Sequence, residues 1–164
     1  MAALTVWLFD DDRADEVLDT VTDFKDRELI DVYDASLVRW PVDAERAALV
    51  PLPELAGDRR FNDSFWSRLF GLVFFPASLG VGVAAAGDSV RNEDLGITPA
   101  MAAQLRDELQ PGQAALFIYS SGAFAESGDM TEEIKRSRKG VPTRLLSSNL
   151  DDEQDARLHD VFGR

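Results

Sequence analysis

The chain has 164 residues, 45% of them apolar and 29% charged, which is the composition of one globular domain and not of a disordered one. Thirty acidic side chains against 17 basic ones leave a formal charge of −13, a surface that repels phosphate backbones and argues against nucleic acid as a partner. No cysteine is present, which excludes disulfides, thiolate metal sites and thiol catalysis, and fits a cytoplasmic location.

Leu4 to Phe9 (LTVWLF) reads as a buried strand, stopped by Asp10, Asp11 and Asp12. No basic leader or cleavage motif precedes it, so no signal peptide is expected. A helix follows. Asp11 or Asp12 is placed to cap it, Asp15 and Glu16 suit its N-terminal dipole, and Ala14, Val17, Leu18, Val21 and Phe24 recur at helical spacing. From Asp10 to Asp34 there are eleven carboxylates and three basic residues, which reads as a solvated face or, more sharply, as a docking surface for a basic partner. Val32 to Trp40 is a second strand, ended by Pro41.

Ala44 to Arg60 reads as a connector, with Pro51 and Pro53 favouring extended chain and Gly57 a turn. Phe61 to Gly87 differs in kind. It packs Phe61, Phe65, Trp66, Phe70, Phe74 and Phe75 into fifteen residues, and from Leu69 to Gly87 nineteen residues pass without a charge. So many aromatics either complete the core or meet another surface. The expected form is an apolar hairpin turning at Pro76-Ala77-Ser78, not a single crossing of a bilayer, which would split the strands into two marginal halves.

Thr98-Pro99 is a helix start, with Ala102, Leu105 and Leu109 as its apolar stripe and Pro111-Gly112 as its stop. Ala114 to Tyr119 is a third strand, continuously apolar, and Asp129 with Glu132 resembles a capping box for a short charged helix to Arg138. Thr143 to Ser147 is a fourth strand. Asn149 is placed to cap a final helix with Leu158 and Phe162 inward. The order is βαβ, an insertion over 41–112 carrying the hairpin at 61–87, βαβ and a terminal helix. It predicts an α+β, ferredoxin-like (split βαβ) domain: a four-stranded antiparallel sheet, helices on one face, and Leu4–Phe9 and Ala114–Tyr119 central.

The opening ALTVWLFD, the strand ending Val38-Arg39-Trp40-Pro41, the block FWSRLFGLVFFPASLG and the run LGITPAMAAQLRDELQPGQAALFIY together resemble the bacterial family called domain of unknown function 1269. The resemblance extends over roughly the whole chain. It implies no established activity, and the family is often labelled a predicted membrane protein. This chain departs from the pattern where the Gly/Ala-rich stretch ends early, at Asp88-Ser89-Val90-Arg91.

Three motifs could carry chemistry. Asp10, Asp11 and Asp12 form an oxygen-rich cluster after a strand, a weak candidate for a divalent cation, but helix capping explains them without metal. A receiver-type reading fails because Asp34 lies inside its strand and the later lysines, Lys135 and Lys139, stand in a charged helix. Gly80-Val81-Gly82-Val83-Ala84-Ala85 matches a dinucleotide fingerprint in the wrong context. His159, the only histidine, reads as a weak helix-dipole partner. No catalytic residue and no cofactor are therefore expected. The reading is a non-enzymatic, self-associating protein, a homo-oligomer whose contact surface is Phe61, Phe65, Trp66, Leu69, Phe70, Leu72, Phe74, Phe75 and Leu79. The alternatives are a peripheral or re-entrant membrane protein using 61–87 in lipid, and a small-molecule or cation-binding domain at Asp10–Asp12.

Overall fold

The computed structural model describes residues 2–28, 31–45, 47–57, 61, 65–66, 69–70, 99–121 and 144–162. They form strand β1 (Ala2–Asp10), helix α1 (Ala14–Asp26), β2 (Val32–Trp40), β3 (Ala48–Pro51), helix α2 (Pro99–Glu108), β4 (Gln113–Ser121), β5 (Arg144–Leu150) and helix α3 (Asp152–Phe162). The charged helix expected from Asp129 to Arg138, the turn at Pro76-Ala77-Ser78, the glycine fingerprint and the Thr98 cap lie outside the described residues.

All pairings are antiparallel and the sheet order is β3-β2-β4-β1-β5. The two continuously apolar strands, β1 and β4, are interior, and β4 separates β1 from β2. Among the described residues the sheet has five strands, where four were expected. The additional one, β3, lies in the stretch whose prolines read as connector. It is an edge strand of four residues ending in Pro51, and an edge is where a missing N–H does least harm to a ladder.

The helices lie on both faces, which corrects the expectation of one. Trp7 and Phe9 of β1, Ala35 and Leu37 of β2, and Leu116 and Ile118 of β4 pack with Val17, Val21 and Phe24 of α1. Leu4, Val6 and Leu8, with Phe117 and Tyr119, pack on the opposite face with Met101, Ala102, Leu105 and Leu109 at α2 and with Leu158 of α3. Successive residues of a strand point to opposite faces, so a strand apolar at every position needs cover on both sides. That requirement was already written in LTVWLF and AALFIY.

Two caps differ from the expectation. Asp11 to Arg13 form a 3-10 turn ahead of α1, and α1 starts at Ala14 with no side-chain cap at Arg13. Asn149 lies within β5, and α3 is capped by Asp151 instead. Gln154 N–H donates to Asp151 Oδ1 at 2.8 Å, and Asp151 N–H donates to Gln154 Oε1 at 3.0 Å, a reciprocal capping box. Gly112, with φ +91°, adopts a conformation that a side chain would strain. Its N–H donates to Trp40 O at 2.6 Å and its carbonyl accepts from Asp11 N–H at 2.9 Å, so one residue joins the ends of β1 and β2 where β4 begins.

Candidate functional site

A carboxylate buried among apolar side chains is one the sequence gives little reason to single out. Asp34 sits in β2 beside a bulge: Val32 is level with Ser120 and Asp34 with Tyr119, so Tyr33 is the extra residue. A bulge shifts the alternation by one. Tyr33 and Asp34 therefore both serve the face carrying α2 and α3, while Val32 and Ala35 serve the other. Gly57 passes close beside this bulge. Its N–H donates to Tyr33 O at 3.0 Å, and a Cβ there would stand 2.4 Å from Val32 O.

The Asp34 carboxylate accepts three hydrogen bonds from fixed donors. Ala35 N–H reaches Oδ1 at 2.9 Å; Phe61 N–H and the Trp66 indole Nε1–H reach Oδ2 at 3.0 and 2.8 Å. Two of these donors lie 27 and 32 residues further along the chain. Asp34 thus ties the 61–70 segment to the sheet. Around it the rings of Phe61, Phe65, Trp66 and Tyr119 meet, with Phe61–Phe65 centroids 4.2 Å apart and Phe65–Tyr119 at 5.1 Å, edge to face.

His159 closes this cluster from α3. Its ring stands 4.8 Å from Phe61 and 5.7 Å from Tyr33, and its Nδ1 is 3.1 Å from Asp155 Oδ1 and 2.9 Å from Asp155 O. The expected weak dipole role is therefore too small: packing and a carboxylate partner one turn away hold this ring. Tyr119, fully buried, has its phenol pushed well above the ordinary tyrosine range, first by loss of solvent and then by the nearby Asp155 carboxylate.

A raised folded pKa contributes stability that is complete below the ordinary value of about 10 and lost as pH rises toward the folded one. Alkaline unfolding is accordingly expected above about pH 10, with the ionisation of Tyr119 appearing only together with loss of the fold. Tyr119→Phe should move the alkaline midpoint upward and remove that step from the tyrosinate absorbance. An early, non-cooperative ionisation that the variant abolishes would contradict it.

The other acids singled out by sequence are placed differently. Asp10 is exposed at the end of β1, and Asp11 is held by Arg39, with Nε 2.8 Å from Asp11 Oδ1 and a second guanidinium nitrogen 3.3 Å from Oδ2. That hydrogen bond raises the Arg39 pKa above its ordinary value. The aspartate expected to cap a helix joins the turn ahead of α1 to β2. Asp12 is exposed. Among the described residues, no group of three or more His, Asp or Glu is arranged to hold a metal ion.

Of the residues expected to form a contact surface, Phe61, Phe65, Trp66 and Leu69 are buried within this chain, and Phe70 is half-buried at the margin of the same core. At these positions the aromatic block completes the core. The surplus of rings was legible; its destination was not, because the acceptor that fixes it is a lone acid on a distant strand. Leu72, Phe74, Phe75 and Leu79 lie outside the described residues. Among the described residues no helix is long and apolar enough to cross a membrane.

A family model described as a protein of unknown function, DUF1269, matches residues 61–163, more than half of the chain. The chain belongs to the DUF1269 family. The DUF1269 match opens at Phe61, the residue whose amide Asp34 holds, and takes in the anchored segment, α2, β4, β5 and α3. It is narrower than the whole-chain resemblance read from sequence, since β1, α1, β2 and β3 precede it. No curated protein and no solved structure matches the chain.

Proposed function

We propose that this DUF1269 chain is a non-enzymatic interaction protein that self-associates through the uncharged run 71–87, carried on a sheet of split βαβ, ferredoxin-like type. The order β2-β4-β1-β5, with β3 as an added edge, and the βαβ unit β1–α1–β2 straddling β4 support the fold reading.

The observation that carries the functional reading is the anchoring of 61–70. Asp34 fixes Phe61 and Trp66 on the α2/α3 face, and Phe70 is half-buried at the margin of the same described core. Seventeen residues without a charge follow immediately in sequence. An apolar run of that length needs a surface to cover it, and we take that surface to be a second copy. Three of the acids, meanwhile, are engaged: Asp11 by Arg39, Asp34 by three N–H donors and Asp155 by His159.

Light scattering coupled to gel filtration, without detergent and at low micromolar concentration, tests this. The expected mass is a multiple of 18.1 kDa. A clean monomer removes the reading. A chain that stays dispersed only in detergent, or floats with lipid vesicles, points to membrane contact instead.

A further inference from the structure

Among the described residues, the two edges of the sheet are built differently. The β3 edge is four residues long and carries Pro51, with Pro53 just beyond, features that discourage pairing by another strand. The β5 edge is seven residues, Arg144 to Leu150, paired to β1 in continuous register from Leu8↔Arg144 to Ala2↔Leu150 without a bulge. It contains no proline and no lysine. Among the described residues no strand pairs with its outer side, and a long, regular edge of this kind offers its backbone groups to another strand.

We infer that β5 pairs antiparallel with β5 of a second copy, joining two sheets across a two-fold axis near Ser147. The charge pattern of the strand selects this occupant. β5 opens on a basic residue, Arg144, whose side chain is about half exposed, and runs directly into Asp151, Asp152 and Glu153. Antiparallel self-pairing centred on Ser147 sets Arg144 level with Leu150 of the second copy and beside that copy's acidic turn, twice per dimer. A parallel arrangement would stack like charges. The same pairing sets Leu146, half-buried on the α2/α3 face, level with Ser148 of the other copy. A two-strand junction is small, so the association it supports is weak, salt-sensitive and concentration-dependent. The inference deepens the self-association reading but needs no part of the 71–87 run.

The absence of native cysteine supplies the test. Residues level with each other on antiparallel strands have Cα atoms about 4.5–5.5 Å apart, within the reach of a disulfide. Ser147→Cys in the full chain is therefore expected to oxidise to a covalent dimer about tenfold faster or more than Val50→Cys, placed at the exposed β3 edge. Adding Arg144→Glu, or about 0.5 M salt, should slow that cross-link several-fold. Because Arg144 also meets Glu108 Oε1 at 2.8 Å, an unchanged melting temperature is the control for that variant.

Equal rates at positions 147 and 50, or indifference to Arg144→Glu, overturn the inference. Repeating both measurements with 71–87 replaced by a Gly/Ser linker separates it from the function reading. If Ser147→Cys still cross-links while the mass under reducing conditions falls, both stand. A cross-link with unchanged mass keeps the β5 pairing and removes the run as contact surface. Loss of the cross-link with the linker overturns the β5 pairing alone.

Discussion

Replacing Asp34 by alanine is expected to cost about 3–5 kcal/mol of stability, because it leaves the Phe61 amide and the Trp66 indole N–H buried without an acceptor. For a chain of this length that corresponds to a melting temperature lower by about 6–20 °C. Asp34→Asn keeps one acceptor oxygen, loses the charge and turns an NH2 toward existing donors, so its loss should fall between wild type and alanine. The coupling is checked in a double-mutant cycle. Trp66→Phe removes one of the orphaned donors, so Asp34→Ala should cost about 1–2 kcal/mol less in that background. Urea unfolding of the four chains measures it, and strict additivity would show that the indole–carboxylate bond contributes nothing.

The second large effect separates core from contact surface. Phe65 is fully buried and its ring meets those of Phe61, Trp66 and Tyr119. Phe65→Ala should destabilise the fold by about 3–5 kcal/mol through the lost apolar contacts and the cavity left behind. It should leave the association constant of the folded fraction unchanged. Phe74→Ser and Phe75→Ser, within the uncharged run, should do the reverse: stability within about 0.5 kcal/mol of wild type, and association weakened about tenfold. Denaturant unfolding and sedimentation equilibrium on the same preparations read both quantities. If Phe65→Ala abolished association without loss of stability, the division at Phe70 would be misplaced.

What sequence reasoning could reach followed from how local each signal is. The four long strands and helices α1, α2 and α3 were legible because apolar periodicity, Pro99 at a helix start and Pro111-Gly112 at its end act within a few residues. β3 was hidden by Pro51 and Pro53, which argue against a central strand and not against a short edge one. Asp34 is inconspicuous in sequence for a related reason. Inside a strand it has no role that local spacing can supply, and its meaning rests on a bulge at Tyr33 and on donors at Phe61 and Trp66. His159 likewise shows only a helix position in sequence, whereas its surroundings come from β2 and from Phe61. The acids at 10–12 looked chemical because they are adjacent, yet Arg39, 28 residues from Asp11, decides what Asp11 does.

The attachment of the 61–70 segment to Asp34 underlies both the core boundary and the proposed contact surface, and amide hydrogen exchange at Phe61 tests it most directly. In wild type the Phe61 N–H, hydrogen-bonded to Asp34 Oδ2 and buried, should exchange only through global unfolding, with the slowest amides of β1 and β4. In Asp34→Ala the same amide should exchange at least about a hundredfold faster, while residues of α1 on the opposite face change only by the shift in global stability. A Phe61 amide that exchanges in wild type as fast as an open loop would mean that the segment is not held by Asp34, and the assignment of 61–70 to the core would fall with it.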